Sequence, residues 1–413
     1  MTAAAGRKPL EGIRVLEIGS VVLAPYAAQL LADMGASVIK IEPLNGDNTR
    51  RSGTVNHLDG GALFLNCNRG KQSIAVDLKR PESGAIIEAL VRRSDVLIHN
   101  LRPDAAQRLG LDYATVQAVH PPIVYCGAYG FGANGPMAEL AAYDDIIQAA
   151  CGIAALNGAA QGEPGYAATL VADKTTALFV ALGVTSALLR RETTGVGEQL
   201  EVAMFETMVH VTSVEHLDGL TFADAPGPAG YKRILNNWRR PHRTLDGSMA
   251  VLPYSRQNWI DFFAAAGRAE IMHEARFSDD NERPRHLPEM YRILSEVLPA
   301  RTNAQWAAVC VEYDIPHSPV NSMADLVADP HLAQVGFWHH QQHPVEGCLR
   351  VPSFPVRYGG PGGDAQPAGR APLLGEHTSS ILASIGMARP DIDRLTHAGV
   401  VGIHRTKVQE RAP

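Results

Sequence analysis

The sequence predicts an α/β protein, with a large domain built on a Rossmann-like parallel sheet and a smaller α+β domain. Two observations support this prediction. Short β-rich runs alternate with amphipathic helical stretches from residue 13 to residue 216, and such alternation is typical of βαβ units, whose strands are parallel and have helices on both faces. A stretch rich in proline, glycine and arginine follows at 223–247, which is typical of a linker and of the entry to a second domain.

The large domain begins with a predicted βαβ unit. The runs IRVLEIG and ASVIKIEP are short and β-rich, and the stretch APYAAQLLADMG between them has a helical periodicity that Gly35 ends. The same pattern then continues along the chain. Further strands are predicted over QSIAVDL, DVLIHNL and PIVYCGAYG, and further helices over PESGAIIEALVRRS and AAQRLGLDYATVQAVH.

A long apolar helix is predicted from Asp173 to Gly195, a residue type that commonly ends helices. Its apolar or uncharged positions recur at helical spacing: Leu178, Ala181, Leu182, Thr185, Leu188 and Leu189. A strand and another helix follow in GEQLEVAMFETMVHVTSVEHL. We therefore predict that residues 1–222 form the N-terminal part of the large domain, that residues 223–330 form the small domain, and that the turn-rich segment 331–413 returns to the large domain.

Composition narrows the range of functions. The chain has 413 residues, enough for two domains, and a formal net charge of -6, which argues against a nucleic-acid partner. The N-terminus lacks the apolar run of a signal peptide, and we expect no window with the roughly 18 apolar residues of a membrane span. We therefore predict a cytoplasmic protein. The five cysteines lie far apart and form no CxxC, which indicates reduced, mostly structural thiols.

Asp173 has two interpretations. An aspartate in front of a periodic apolar segment is typical of a helix cap, because its carboxylate accepts hydrogen bonds from the first turn and suits the positive end of the helix dipole. The same residue type is also a nucleophile in enzymes that form covalent intermediates. Taken alone, the position of Asp173 favours the cap.

Two other motifs resemble a dinucleotide-binding site and a metal site, but their surroundings in the sequence argue against both. The run GFGANG places Gly130, Gly132 and Gly135 in GxGxxG order, but Pro136 follows directly and no acidic residue stands about 20 positions further on, so we predict no dinucleotide site. The run WHHQQHP has three histidines without a nearby acidic or cysteine ligand. We interpret these histidines, His339, His340 and His343, as solvated loop residues and not as a metal site.

Basic residues occur in three clusters. The cluster of Arg239, Arg240 and Arg243 is equally consistent with binding of a carboxylate or phosphate and with a solvated or interdomain charge cluster. The runs NRGKQS and NLRPD place basic groups near the predicted strand ends. Phosphate binding and ordinary surface charge explain these two runs equally well.

In order along the chain, the following segments resemble the class III coenzyme A transferases of the CaiB/BaiF type: PLEGIRVLEIG, LLADMGASVIKIEP, NRGKQSIAVDL, DVLIHNLRPD, RLGLDY, YGFGANGP, YDDIIQAACGI, VADKTTALFVALGVTSALLRRETTGVGEQLEVAMFE and MADLVADPHLAQVGF. The resemblance covers the chain from about Pro9 to Pro355. It implies that Asp173 is the catalytic nucleophile, which attacks an acyl-CoA thioester, forms a mixed anhydride and passes through an aspartyl-CoA thioester. We expect the helix dipole to keep this carboxylate ionised.

The resemblance also implies the remaining binding residues and the assembly. CoA is expected to contact Val21, Lys71, Asn100, Arg102 and Arg108, and the substrate is expected to contact Tyr143. No prosthetic group or metal is implied, since the coenzyme A thioester is itself a substrate together with a free carboxylic acid. The family fold implies an interlocked, ring-like homodimer. We further predict that Arg239, Arg240 and Arg243 bind a free carboxylate of the substrate, which suggests succinyl-CoA or another dicarboxylyl-CoA as donor.

Two alternative functions remain open on the sequence. The family includes α-methylacyl-CoA racemases, but these have a histidine where this chain has Tyr143, and a tyrosine phenol is a poor base at neutral pH. A non-catalytic CoA-binding protein is the second alternative, which the intact surroundings of Asp173 disfavour. The formyl-CoA:oxalate branch is expected to resemble this chain poorly, because the chain lacks a glycine-rich lid between Gly219 and Gly247 and has Val22 in place of a glutamine.

Overall fold

In the computed structural model of the chain, residues 8–57, 60–360, 363 and 365–404 are described. The predicted domain ends at 1–7 and 405–413 lie outside these residues. The strands are β1 (Arg14–Ile18), β2 (Ser37–Glu42), β3 (Lys71–Val76), β4 (Val96–His99), β5 (Val124–Tyr129), β6 (Glu198–Ala203), β7 (His242–Arg243), β8 (Ser248–Val251), β9 (His317–Pro319), β10 (Trp338–His343), β11 (Gly347–Pro352) and β12 (Val401–Gly402).

The helices begin and end as follows: α1 (Leu23–Asp33), α2 (Ala62–Cys67), α3 (Ser83–Val91), α4 (Pro103–Arg108), α5 (Tyr113–Val119), α6 (Asp144–Ala150), α7 (Ile153–Gln161), α8 (Val171–Thr194), α9 (Met204–His216), α10 (Arg256–Ala265), α11 (Ala275–Ser278), α12 (Arg283–Val297), α13 (Asn303–Glu312), α14 (Met323–Val327), α15 (Pro330–Gln334), α16 (Thr378–Ser384) and α17 (Arg389–His397). Every strand and helix predicted up to residue 216 is present. One predicted helix is divided in two, because Gly110 adopts a left-handed conformation (φ 66°) after α4 and Asp112 then caps α5.

The large sheet has seven strands in the order β12-β3-β2-β1-β4-β5-β6. All neighbouring pairs are parallel except β12 with β3, which is antiparallel at the edge. Strands β4 and β5 are buried along their whole length, as expected for parallel strands that are covered on both faces. The order confirms the predicted Rossmann-like sheet, and it reverses between β1 and β4.

Helix α8 packs against α1, α6 and the sheet. Most of its buried residues are small or β-branched, including Ala172, Thr176, Val180 and Val184. The predicted periodic positions divide between the two sides of the helix. Ala181 and Leu188 are buried, whereas Leu178, Leu182 and Leu189 have 54%, 59% and 72% of their surface accessible. Close packing against neighbouring backbone selects small side chains and leaves the larger ones outside.

Helix α8 also corrects the expectation that no segment resembles a membrane span. Among the described residues it is long and apolar enough to cross a bilayer, by length and composition alone. Half of that stretch is buried inside the chain. Core helices of globular proteins have the same length and composition, so this single helix gives little support to a membrane location.

The described chain forms two compact units. The first comprises residues up to 151, 168–211 and 333 onwards, and the second comprises 152–167 and 212–332. The second unit contains the antiparallel sheet β7-β8-β9 and an aromatic core that includes Trp259, Phe262, Phe263 and Trp306. The predicted boundaries at 222/223 and 330/331 stay predictions.

Strand β10 contains all three histidines that the sequence analysis assigned to a solvated loop, and that assignment is wrong. The strand pairs with β11 in an antiparallel hairpin. His343 is 5% exposed, and the imidazole of His339 hydrogen-bonds the Ser353 hydroxyl at 2.7 Å. Within the described residues, no group of three or more His, Cys, Asp or Glu side chains is arranged to hold a metal ion.

Candidate active site

A cavity of about 360 Å³ lies at the carboxyl ends of the strands of the large sheet, where the strand order reverses between β1 and β4. Ligands of open α/β sheets bind in this position, because the loops after the two central strands diverge there and leave a crevice. The cavity, called the Asp173 cavity below, brings together five of the predicted site residues: Val21, Asn100, Arg102, Tyr143 and Asp173. Tyr143 is 66% exposed, whereas Asp173 is 7% exposed.

Asp173 is not the cap of its helix. Helix α8 begins at Val171 with Leu170 in the cap position, and no side chain of its own caps it. Asp173 is the third helical residue, and its backbone N–H donates a hydrogen bond to Oδ1 of Asp144 at 3.0 Å. Asp144, from α6, thus satisfies an otherwise unpaired donor of the first turn. Within the described residues, the carboxylate of Asp173 itself accepts no hydrogen bond, so both of its oxygens are available for chemistry.

The protonation of Asp173 differs from the expectation drawn from the helix dipole. Burial, and then the negative charge of Asp144, raises the pKa of Asp173 from its ordinary 3.8 to about 7. The dipole at the start of α8 therefore does not keep the carboxylate fully ionised at neutral pH. A carboxylate whose pKa lies near neutral pH is more basic than a solvated carboxylate, and it is therefore a stronger nucleophile when it is ionised.

Asp144 and Gln148 belong to the site although sequence reasoning assigned them no role. Both are almost completely buried, and Nε2 of Gln148 donates to Oδ2 of Asp144 at 2.5 Å. The amide therefore holds one oxygen of Asp144 while the other oxygen accepts the N–H of Asp173. The signal in the sequence is their spacing of four residues, which places both side chains on one face of α6.

The loop between β1 and α1 forms one wall of the cavity, and it is held at three consecutive residues. The buried Lys40 ammonium donates to the Gly19 carbonyl at 2.8 Å, and the Asn100 side chain exchanges two hydrogen bonds with the backbone of Ser20. The N–H of Val21 points to Oδ1 of Asp47 at 3.4 Å. Val21 has a φ of 67°, a conformation that is strained for a β-branched residue.

A second cavity of about 560 Å³, the apolar pocket, lies on the other side of this loop. Its walls come from the ends of β1, β2, β3 and β4 and include Ile18, Ile41, Val76 and Leu101. Ser20 and Asn100 line both cavities. The two cavities together offer room for an elongated ligand whose ends differ in polarity.

Two predicted CoA contacts lie outside the Asp173 cavity. Lys71 is 3% exposed, and its ammonium donates to Glu17, to Asn68 and to the Pro25 carbonyl at 2.7 to 2.8 Å. Burial, partly offset by Glu17, lowers the pKa of Lys71 to about 8. All three ammonium hydrogens are thus engaged by groups of the chain itself, and the contact of Lys71 with CoA stays a prediction. Arg108 is exposed at the end of α4.

The family follows from comparison with known proteins. The sequence profile of CoA-transferase family III matches residues 10–378. This chain belongs to CoA-transferase family III. A succinate–glutarate CoA-transferase from Agrobacterium fabrum is 31% identical over 400 residues, which cover 93% of this chain and 98% of that protein. A succinyl-CoA:glutarate CoA-transferase from Homo sapiens is 30% identical over 97% of this chain and 91% of that protein.

Solved structures agree with this assignment. A CaiB/BaiF family protein from Brucella suis superposes with a TM-score of 0.79 at 29% identity, over 92% of this chain and 100% of that one. The protein Rv3272 from Mycobacterium tuberculosis gives a TM-score of 0.77 at 26% identity, over 91% and 99% of the two chains. The predicted resemblance and enzyme class are therefore confirmed: this CoA-transferase moves CoA between an acyl-CoA and a carboxylic acid.

The formyl-CoA:oxalate branch is closer to this CoA-transferase than the sequence analysis expected. A formyl-CoA:oxalate CoA-transferase from Shigella sonnei is 28% identical over 93% of this chain, only slightly less than the relatives that carry glutarate in their names. The local differences at Val22 and between Gly219 and Gly247 therefore do not reflect an overall distance.

The predicted arginine cluster lies in the second unit of this CoA-transferase. Arg239, Arg240 and Arg243 are all exposed, and the Arg240 guanidinium lies 5.4 Å from the centre of the Trp238 ring. The run GFGANG in the first unit forms turns that do not open a helix, and its Gly132 and Ala133 N–H groups donate to Glu206 and Glu201. This turn is therefore not a dinucleotide loop.

Proposed function

We propose that this enzyme transfers CoA from a dicarboxylyl-CoA such as succinyl-CoA to a free dicarboxylic acid such as glutarate, with Asp173 as the nucleophile. The observation that carries the proposal is the Asp173 carboxylate itself. It lies buried in a cavity at the switch point of the sheet, accepts no hydrogen bond within the described residues, and has a raised pKa of about 7. The choice of diacids is supported by the names of the relatives that are 30% and 31% identical.

The proposed reaction proceeds by acyl and CoA transfer through Asp173. A carboxylate oxygen of Asp173 attacks the thioester carbonyl carbon, the C–S bond breaks, and CoA leaves as a thiolate from a mixed anhydride. The thiolate then attacks the aspartyl carbonyl, so that the donor acid leaves as a carboxylate and an aspartyl-CoA thioester remains. The acceptor carboxylate repeats these steps in reverse, and Asp173 is regenerated without hydrolysis or ATP.

We place CoA across the loop between β1 and α1. The thioester end lies in the Asp173 cavity beside Val21, Asn100 and Tyr143, and the adenine ring lies in the apolar pocket, whose lining includes several aliphatic side chains. Arg102 lines the Asp173 cavity, and Arg108 lies at the end of α4. Both are exposed cations that suit the phosphates of CoA. The proposal that Arg239, Arg240 and Arg243 bind the free carboxylate of the diacid is retained as an independent hypothesis, which triple Arg→Ala substitution tests through the preference for diacids over monoacids.

We also propose that the enzyme is an interlocked homodimer that works in the cytoplasm without a metal or prosthetic group. The exposed leucines of α8 support a second copy as the partner, since apolar residues in a row along one helix are typical of an interface. Loss of turnover after treatment with EDTA would contradict the metal-free part of this proposal.

A CoA-transfer assay tests the proposed function directly. The purified enzyme is incubated with succinyl-CoA and a panel of free acids, and acyl-CoA products are separated by chromatography; the expected product with glutarate is glutaryl-CoA. Acyl-CoA followed by hydroxylamine is expected to convert Asp173 to a hydroxamate, which peptide mass mapping locates. An unmodified Asp173 in an active enzyme would refute its role. Incorporation of solvent deuterium at the α-carbon of a 2-methylacyl-CoA would instead favour the racemase alternative.

A further inference from the structure

A third cavity, of about 590 Å³, lies within the second unit and is separate in its residues from the Asp173 cavity. We call it the arginine cavity. Four cationic side chains line it: Lys232, Arg233, Arg283 and Arg285. No aspartate or glutamate is among its lining residues. Its volume lies within the range of about 300 to 1,000 Å³ that is usual for small-molecule sites.

The charges of the arginine cavity are only partly neutralised by neighbouring carboxylates. Arg283 and Arg285 pair with Asp280 at 2.7 Å and with Glu282 at 2.6 Å. Lys232 and Arg233 have no carboxylate within salt-bridge distance among the described residues. The cavity therefore presents a positive potential that an anionic ligand would neutralise.

Apolar and aromatic side chains also line the arginine cavity. Trp259 and Tyr291 are almost fully buried, and Leu287 adds an aliphatic side chain. The Arg233 guanidinium lies 4.8 Å from the centre of the Tyr254 ring, which is a cation–π contact. The apolar lining thus suits a methylene chain or a ring, and the planar guanidinium of Arg233 matches the two oxygens of a carboxylate.

We propose that the arginine cavity is a binding site for a small dicarboxylic acid, with one carboxylate on Arg233 and the other on Arg283, and the carbon chain against Trp259 and Leu287. An inorganic anion does not use the apolar lining, and a monocarboxylic acid engages only one of the two cationic groups. The choice of glutarate as probe rests on the proposed function, whereas the cavity and its charges do not.

Titration calorimetry of the full-length enzyme with glutarate tests the proposal. Arg233→Met and Arg283→Met are each expected to weaken glutarate binding at least tenfold, because each removes a charge-assisted pair. Arg233→Lys keeps the charge without the planar fork, and is expected to bind more weakly than wild type but more tightly than Arg233→Met. Arg268→Met, an exposed arginine of the same unit that does not line the cavity, is expected to leave the affinity within a factor of two of wild type.

Other outcomes would overturn the proposal. If Arg233→Met and Arg283→Met bind glutarate as tightly as wild type, the diacid binds elsewhere. If butyrate or inorganic phosphate binds as tightly as glutarate, the cavity does not select a dicarboxylic acid. Formation of the Asp173 hydroxamate from acyl-CoA requires no free diacid, so it reports on the proposed function separately. A normal hydroxamate yield with unchanged glutarate affinity in both variants would reject this site alone.

Discussion

At the scale of the residue, two aspartates carry the two roles, helix cap and candidate nucleophile, that the sequence analysis considered for Asp173 alone. Asp144 caps the first turn of α8 by accepting the N–H of Asp173, and Asp173 is left with a carboxylate free for chemistry. The proximity of the two carboxylates and their burial raise the pKa of Asp173 to about 7. The site therefore stores unfavourable electrostatic energy, as functional sites commonly do.

Replacement of Asp173 by asparagine is expected to abolish transfer and to stabilise the fold at alkaline pH. The amide cannot form an anhydride, so turnover should fall by at least about 10³-fold. A group whose folded pKa is raised contributes stability that is complete below its unfolded pKa of about 4 and is lost as the pH rises through about 7. Asparagine avoids this loss, so the free energy of unfolding should exceed that of wild type by roughly 1 to 3 kcal/mol at pH 8.

Urea denaturation at pH 4 and at pH 8, together with the transfer assay, checks this prediction. The two proteins should differ in stability at pH 8 and nearly coincide at pH 4. An asparagine variant that is less stable than wild type at pH 8, or that still turns over at a comparable rate, would contradict the assignment.

Replacement of Asp144 by asparagine is expected to shift the pH dependence of the first chemical step. The amide side chain of the Asp144→Asn variant retains an oxygen that accepts the N–H of Asp173, but the substitution removes the second cause of the raised pKa. The ionised fraction of Asp173 should then reach one half at a lower pH than about 7. In single-turnover measurements with acyl-CoA, the rising limb of the acylation rate should move to lower pH.

The neighbouring Asp145 provides a matched control for this shift. It lies on the same helix but is exposed, and Asp145→Asn should leave the profile in place. Equal profiles for wild type and for both variants would show that Asp144 does not tune Asp173.

The sequence predicts some of these residues and not others. Asp173 stands out because it lies at the start of a long periodic helix, and the family resemblance implies its role as well as those of Asn100 and Arg102. Asp144 could not be assigned, because its role depends on a contact between α6 and α8 that no local pattern encodes. The burial of Lys71 could not be predicted for the same reason: a basic residue at the start of a strand gives no indication of whether its side chain points to solvent or pairs with Glu17.

At the scale of the element, the loop between β1 and α1 contributes to the walls of both the Asp173 cavity and the apolar pocket. Lys40 is fully buried and saturated by Glu17, Asp47 and the Gly19 carbonyl, so the loop is tied to the interior of the sheet. Such buried charges are retained where their geometry is specific, since breaking one pair leaves another charge unpartnered. Strain at Val21 is consistent with a loop that is held in place from several sides.

Replacement of Val21 by glycine is expected to weaken the binding of acyl-CoA with little change in the stability of the fold. Glycine adopts a φ of 67° without steric strain, which offsets its greater entropy in the unfolded chain, so the free energy of unfolding should change by less than about 1 kcal/mol. The loop becomes less ordered, however, and the KM for acyl-CoA should rise several-fold more than kcat falls. Steady-state kinetics and chemical denaturation measure the two effects.

The adjacent residue offers a matched control with the opposite result. Val22 is 2% exposed and has an ordinary φ of −125°, so Val22→Gly removes a buried side chain without relieving strain. It should lower the free energy of unfolding by about 2 kcal/mol or more. Equal destabilisation by both substitutions would argue that Val21 is not strained.

Helix α8 shows where sequence patterns mislead at this scale. Its leucines recur at helical spacing, but only Leu188 is buried, and the face that packs against α1 and the strands consists mostly of alanine, valine and threonine. Periodicity identifies that a helix exists and roughly where it ends. It does not decide which of two apolar faces is buried within one chain, since the second face can be covered by a partner.

At the scale of the whole molecule, the exposed leucines of α8 support the proposed homodimer. Leu178, Leu182 and Leu189 lie along one side of the helix, and each exposes more than half of its surface. An isolated exposed leucine is common, but a row of three on one helix is typical of an interface. A second copy of the chain would bury this face, as the family resemblance implies.

Leu182→Glu is therefore expected to weaken self-association, because it places a charge within an apolar interface without an opposite partner. Light scattering coupled to size-exclusion chromatography, over a range of protein concentrations, should show a dimer for wild type and a larger monomer fraction for the variant. Leu182→Ala, which removes apolar area without adding charge, should have a smaller effect in the same direction. Val311→Glu introduces the same charge at an exposed apolar residue of α13 and should leave the dimer intact. If wild type is a monomer at micromolar concentration, or if Leu182→Glu and Val311→Glu behave alike, the leucines of α8 do not form the interface.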